Sequence, residues 1–217
     1  GDALGNTIPC CGDSNPHGSK ALRAPQERQR FSRRERWTGV LADQLSDDWT
    51  VIEEGLPGRT SVFDDPIEGE HKNGRRTLKA ILETHRELDL VTLMLGTNDL
   101  KNRFSLSAED IALGLERLVT EITTSDVGRD GAPPHILLLS PVPIREEGHL
   151  AGIFAGGREK SEALGDHLAT IAERQGTSFI DLAKVTSVDP VDGVHLDLAA
   201  HRAIGHAIAR SVEAIVF

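Results

Sequence analysis

Leu90-Val91-Thr92-Leu93-Met94-Leu95-Gly96-Thr97-Asn98-Asp99 is an apolar run that breaks into a polar, glycine-bearing turn. A continuous run of this kind reads as a strand buried on both faces, as strands of a parallel sheet are. Ile136–Ser140 has the same character. Shorter β-type runs occupy Thr7–Cys11, Thr50–Glu54 and Ser178–Leu182. Pro9 makes the first of these the least regular, because proline donates no ladder hydrogen bond.

Helical patterns lie between the strands. Trp37, Val40, Leu41 and Leu45 share a face, as do Leu78, Ile81 and Leu82. Ser107 and Asp110 make a capping box ahead of Ile111, Leu115, Leu118 and Ile122. Leu164, Leu168 and Ile171 predict a helix stopped near Gly176, and Ile204, Ile208, Val212 and Ile215 predict the last. Strands alternating with helices imply right-handed crossovers and an α/β fold, a three-layer α/β/α sandwich around a five-stranded parallel sheet. No repeat or linker divides the chain, so one domain is expected over 1–217, with a cloning origin left open for residues 1–6.

The 217 residues carry 24 Lys and Arg against 34 Asp and Glu, a net charge of −10. A field of that sign disfavours nucleic acid and anionic membranes as partners and favours neutral substrates over anionic ones. Arg23, Arg28, Arg30, Arg33, Arg34 and Arg36 run against this trend; they read first as a solvated loop and second as a local anion site. Aromatic residues are 4% with no Tyr, which leaves few platforms for stacking bases or sugars. Cys10 and Cys11, the only cysteines, are adjacent and read as buried reduced thiols. Residues 1–11 lack a basic and a long apolar segment, so a cytoplasmic protein is expected, with a leader removed ahead of Gly1 left open.

In an open α/β sheet, functional residues gather beyond the carboxyl ends of the strands. Those positions hold Gly12-Asp13-Ser14-Asn15, Gly55–Thr60, Gly96–Asp99 and Asp192-Gly193-Val194-His195. Together they supply the parts for acyl transfer. A serine hydroxyl needs a base to take its proton, which His195 can be. The imidazole needs an acceptor on its other nitrogen, and Asp192 lies three residues away in one turn. The Ser14 N–H, the Gly58 N–H and the Asn98 amide are the candidate donors to an oxyanion. Asn15, Ile153 and Phe154 are expected on the substrate, the last two, from the Gly- and Pro-rich loop 141–157, as part of an acyl pocket or else of a neighbouring subunit's contact. Arg59 is expected to pair with Asp64 or Asp65, Asp13 to hold the turn, and Glu54 and Asp65 to line the mouth of the site. Asp197, His201 and His206 lack a metal motif and read as a polar helix face, so no metal or cofactor is expected.

These blocks resemble the GDSL, or SGNH, hydrolase superfamily over nearly the whole chain. Arg36–Leu41, Ile52–Leu56, Arg59-Thr60, Asp64–Pro66 and Met94–Asp99 are similar to its arylesterase/acyltransferase branch. The resemblance implies a flavodoxin-like sheet, a Ser14–His195–Asp192 triad and an oxyanion hole from Ser14, Gly58 and Asn98. It also implies a metal-free hydrolase of short acyl esters that transfers acyl groups to alcohols or peroxide, and a homo-oligomer. The rival readings are a sugar or small-metabolite O-deacetylase of the same fold and a non-catalytic flavodoxin-like binding module.

Overall fold

The computed structural model describes residues 5–217. Its sheet is built from β1 (Asn6–Gly12), β2 (Trp49–Gly55), β3 (Leu90–Met94), β4 (His135–Ser140) and β5 (Ser178–Asp181). All pairings are parallel, in the order β2-β1-β3-β4-β5. The helices are α1 (Ser14–His17), α2 (Trp37–Gln44), α3 (Gly74–Thr84), α4 (Ala108–Thr123), α5 (Gly157–Gln175) and α6 (Leu198–Ala214). The expected strands and longer helices are all present, with ends shifted by a residue or two or, for some helices, extended. Residues 1–4 of the segment set apart above lie outside the described residues, whereas Asn6 opens β1 opposite Trp49.

The period of two along each strand divides the apolar runs between two layers. Val91, Leu93, Ile136 and Leu138 pack with Leu78, Ile111, Leu115, Leu164 and Leu168, so α3, α4 and α5 cover one face. Leu90, Met94, Leu137 and Leu139 pack with Trp37, Leu41, Ile204 and Ile208, so α2 and α6 cover the other. Helices α2 and α6 approach closely at Gly205, where an added Cβ would stand 2.6 Å from the Cβ of Val40. Pro9 is tolerated because β1 joins β3 only from Cys10 onward. Ser107 caps α4 by accepting from Asp110 N–H, and Gly176 ends α5 in the left-handed region.

One polar expectation changes. His201 is fully buried rather than part of a solvated face. Its Nδ1 accepts the Trp37 N–H at 3.0 Å, and burial pushes its pKa down to about 4, so the ring stays neutral. Asp197 caps α6 by accepting from Ala200 N–H. No described helix is long and apolar enough to cross a membrane.

The strand order reverses beside β1: the chain crosses over from β1 to β2 on one side, then from β2 past β1 to β3 on the other. The crevice at their carboxyl ends is the switch point where such sheets bind ligands. Cys10 and Cys11 precede it on opposite faces, both buried, and burial pushes both thiols up to about 12. Only the thiolate reacts readily. A disulfide reagent at pH 8 should therefore titrate no thiol in the native protein and both in denaturant; rapid reaction of the native protein would contradict this packing.

Candidate active site

Ser14 is the first residue of α1, directly beyond β1. Asp13 caps that turn by accepting the Asn15 N–H at 3.0 Å, the structural role expected of it. The Ser14 hydroxyl donates to His195 Nε2 at 3.1 Å. On the other side of the ring, Nδ1–H donates to Asp192 Oδ2 at 2.6 Å. The carboxylate fixes the tautomer, and Nε2 is left as the acceptor that faces the serine.

Asp192 has no exposed surface. Its Oδ1 accepts the N–H groups of Val194 and His195, each at 2.9 Å, and its Oδ2 also accepts Leu22 N–H at 2.8 Å. Burial alone would raise its pKa; the His195 ring and the backbone donors outweigh it and hold the carboxyl at about 2. The group is thus an anion at any working pH. Leu22 escaped sequence reasoning, since a backbone N–H 170 residues away leaves no local signal.

The loops after β2 and β3 are clamped together. Arg59 is buried and donates from Nη1 to the carbonyls of Gly12 at 3.0 Å and Glu54 at 2.7 Å. It ties the ends of β1 and β2 and makes no ion pair with Asp64 or Asp65, which bind Arg76 and Arg103 instead. Arg59 O accepts the Asn98 Nδ2–H at 3.1 Å. Two residues on, Ser61 donates to Asp99 from N at 2.9 Å and from Oγ at 2.5 Å. Gly58, at φ +83°, precedes this clamp in a conformation that L side chains rarely adopt. Its N–H meets no acceptor among the described residues.

Ser14, His195, Gly58 and Asn98 line a cavity of about 540 Å³. Ile153 and Phe154 line it too; Phe154 is buried, while Ile153 is 42% exposed. Asn15 departs from expectation: it is buried in α1 and does not line the cavity. Glu54 and Asp65 are likewise absent from the mouth, Glu54 pairing with His85 at 2.9 Å and Asp65 being buried. Lys72, Lys101, His149 and Glu68 were missed as lining residues; they reach the cavity from loops whose course only tertiary packing decides. Among the described residues, no group of three or more His, Cys, Asp or Glu could hold a metal ion.

The arrangement can therefore generate a nucleophilic oxygen beside several hydrogen-bond donors. The family model for the GDSL-like lipase/acylhydrolase family matches residues 10–203. The chain is similar to the aryl esterase of M. smegmatis, at 40% identity and a TM-score of 0.93, over 97% of this chain and 100% of that one. It is similar to Est24, a carbohydrate acetylesterase from Sinorhizobium meliloti, at 34% identity, TM-score 0.93 and the same coverage. Axe2, an acetylxylan esterase from Geobacillus stearothermophilus, shares the fold at 18% identity and TM-score 0.65, over 96% and 95% of the two chains. No curated protein matches.

Asp99 gives a pH signature. Burial raises its carboxyl from the usual 3.8 to about 6, against the lowering effect of Ser61. The native state thus keeps a proton that the unfolded chain has lost, and the stability from this group falls as pH rises from about 4 to about 6. The stability difference between wild type and Asp99→Asn should slope across that window in denaturant unfolding. A difference independent of pH would contradict the raised value.

Proposed function

The chain belongs to the GDSL-like lipase/acylhydrolase family and is a carboxylic ester hydrolase; from this premise we propose that it removes short acyl groups through an acyl-enzyme on Ser14. The observation that carries the reading is the unbroken chain from Ser14 Oγ through the His195 ring to the Asp192 carboxylate.

In this mechanism Ser14 Oγ attacks the ester carbonyl carbon as its proton passes to His195 Nε2. Asp192, already ionised, stabilises the imidazolium that results. The carbonyl oxygen becomes an anion and takes hydrogen bonds from Ser14 N–H, Gly58 N–H and Asn98 Nδ2–H. Such donors, fixed before the reaction, contribute most where charge develops. The clamp from Arg59 O to Asn98 and from Ser61 to Asp99 supports that role by limiting how far the Asn98 amide can turn. Collapse of the intermediate expels the alkoxide, which takes the proton from Nε2. Water then repeats the sequence and releases the acid. An alcohol or peroxide in the place of water would give a new ester or a peracid, which is the proposed acyl-transfer activity.

The apolar wall of Leu150, Ile153 and Phe154 supports an aryl or alkyl ester. The likeness to a carbohydrate acetylesterase supports a second reading, deacetylation of a sugar or small metabolite by the same chemistry. Comparing an aryl acetate with an acetylated saccharide separates the two.

Ser14→Ala should abolish hydrolysis of 4-nitrophenyl acetate while leaving the circular dichroism spectrum unchanged. Activity retained in that variant would sink the nucleophile assignment. Asn98→Ala should lower kcat by ~100-fold or more with KM little changed, since the donor acts on the transition state. A loss confined to KM would assign Asn98 to ground-state binding instead.

A further inference from the structure

Six arginines crowd positions 23–36 of a chain whose net charge is −10. The fold divides them. Arg33 and Arg36 bind Glu53 on β2, each at 2.5 Å. Arg28 and Arg30 line the cavity that holds Ser14. Both belong to an excursion between α1 and α2 that folds back on itself. Lys20 N–H donates to Gln29 O, Phe31 N–H donates to Gly18 O, and Ser19 bridges Arg30 in antiparallel fashion. The outgoing arm delivers Leu22 N–H to Asp192; the returning arm carries the two arginines.

The partners of these guanidiniums are carbonyls. Arg28 Nη1 donates to Pro25 O and Glu27 O, each at 2.7 Å, and Arg30 Nε donates to His17 O at 2.6 Å. Carbonyls orient a guanidinium without cancelling its charge. Among the described residues neither arginine has a carboxylate at ion-pair distance. The other cations on the wall differ: Lys101 is answered by Glu68, and Arg103 by Asp65. Lys72 donates to Pro57 O and adds a third uncancelled charge. Against these stands Glu27, which lines the wall and accepts from Arg23 N–H. His149 lies on the same wall with a buried Nε2 that has no hydrogen-bond partner among the described residues. Partial burial, and then the positive charge of Arg36, press the Arg30 guanidinium below its ordinary value against the opposing pull of Glu53. An anion beside it would relieve that repulsion.

A short acyl group fills only a small part of about 540 Å³, so the alcohol portion of the ester occupies the rest. We propose that this alcohol portion carries an anionic group, a carboxylate or a phosphate, recognised by the guanidiniums of Arg28 and Arg30. Planar guanidinium forks suit both groups, and a cleft whose charged lining is predominantly positive concentrates anionic ligands. The inference rests on the short-acyl esterase reading and reverses the preference for neutral esters that net charge suggests. Local charge decides, because at physiological salt the remote acidic surface is screened beyond about 8 Å.

The test compares 3-acetoxybenzoate and 3-acetoxyphenyl phosphate with the neutral methyl 3-acetoxybenzoate, in the wild type and in the double variant Arg28→Gln/Arg30→Gln. The readout is the anionic-to-neutral ratio of kcat/KM, with the unfolding midpoint checking that the variant is folded. The double variant should lower the ratio by ~10-fold, mainly through KM for the anionic ester, and added NaCl should lower it in wild type only. The two anionic arms distinguish a carboxylate from a phosphate. A ratio that is the same in wild type and variant, or insensitive to salt in both, overturns the proposal. Ser14-dependent hydrolysis of the neutral ester with an unmoved ratio leaves the esterase reading standing and removes only the anion site. Failure to hydrolyse any of the three removes both.

Discussion

The carboxylate of Asp192 is fully buried and takes N–H donors from Leu22, Val194, the His195 backbone and the His195 ring. A lone buried carboxylate would cost several kcal/mol and would take up a proton instead. Here the donors outweigh desolvation, and the charge persists. The same bonds fix where three segments sit: the turn at 192–195, the histidine ring within reach of Ser14, and the excursion whose returning arm lines the cavity with Arg28 and Arg30. The electrostatics of one anion thus organise both the proton relay and the wall that meets the substrate.

Two other carboxylates near the relay are also buried, and their environments push them the opposite way. Asp13 and Asp99 are each raised to about 6, chiefly by burial. Asp13 accepts the Asn15 N–H, and Asp99 is bonded to the Ser61 N–H and hydroxyl. Among the described residues neither makes an ion pair or a hydrogen bond to a cation or a ring, unlike Asp192. The separation of these values from that of Asp192 assigns the work: one carboxylate supplies a permanent charge, while the others shape the turns after β1 and β3. The fold makes this possible because the sheet order reverses at β1, which brings the ends of β1, β2 and β3 to one crevice.

Much of this is legible in the chain itself. The continuous apolar runs Leu90–Met94 and Ile136–Leu139 are enough to predict a sheet covered on both faces, and the polar turns that follow locate the rim. Ser14, Asp192 and His195 are legible because residue type and strand-end position coincide. Other features depend on partners distant in sequence. Arg59 has acidic neighbours that suggest an ion pair, yet packing sends it to two carbonyls instead. His201 has the helical spacing of a solvated residue, and only the close approach of α2 to α6 buries it against Trp37 N–H. Asn15 follows the serine in sequence, but the tight turn of α1 carries it into the interior. The sign of the cavity wall is the clearest case. Net charge averages over the whole surface, whereas the ligand meets a few side chains placed by one excursion.

The central claim is that His195 and Asp192 activate Ser14 alone among the serines of the chain. Mass spectrometric peptide mapping after reaction with a fluorophosphonate tests it most directly, since such reagents label only an activated hydroxyl. One adduct per chain, on the peptide that contains Ser14, is the predicted result. No adduct on the folded protein, or an adduct elsewhere with Ser14 unmodified, would contradict it.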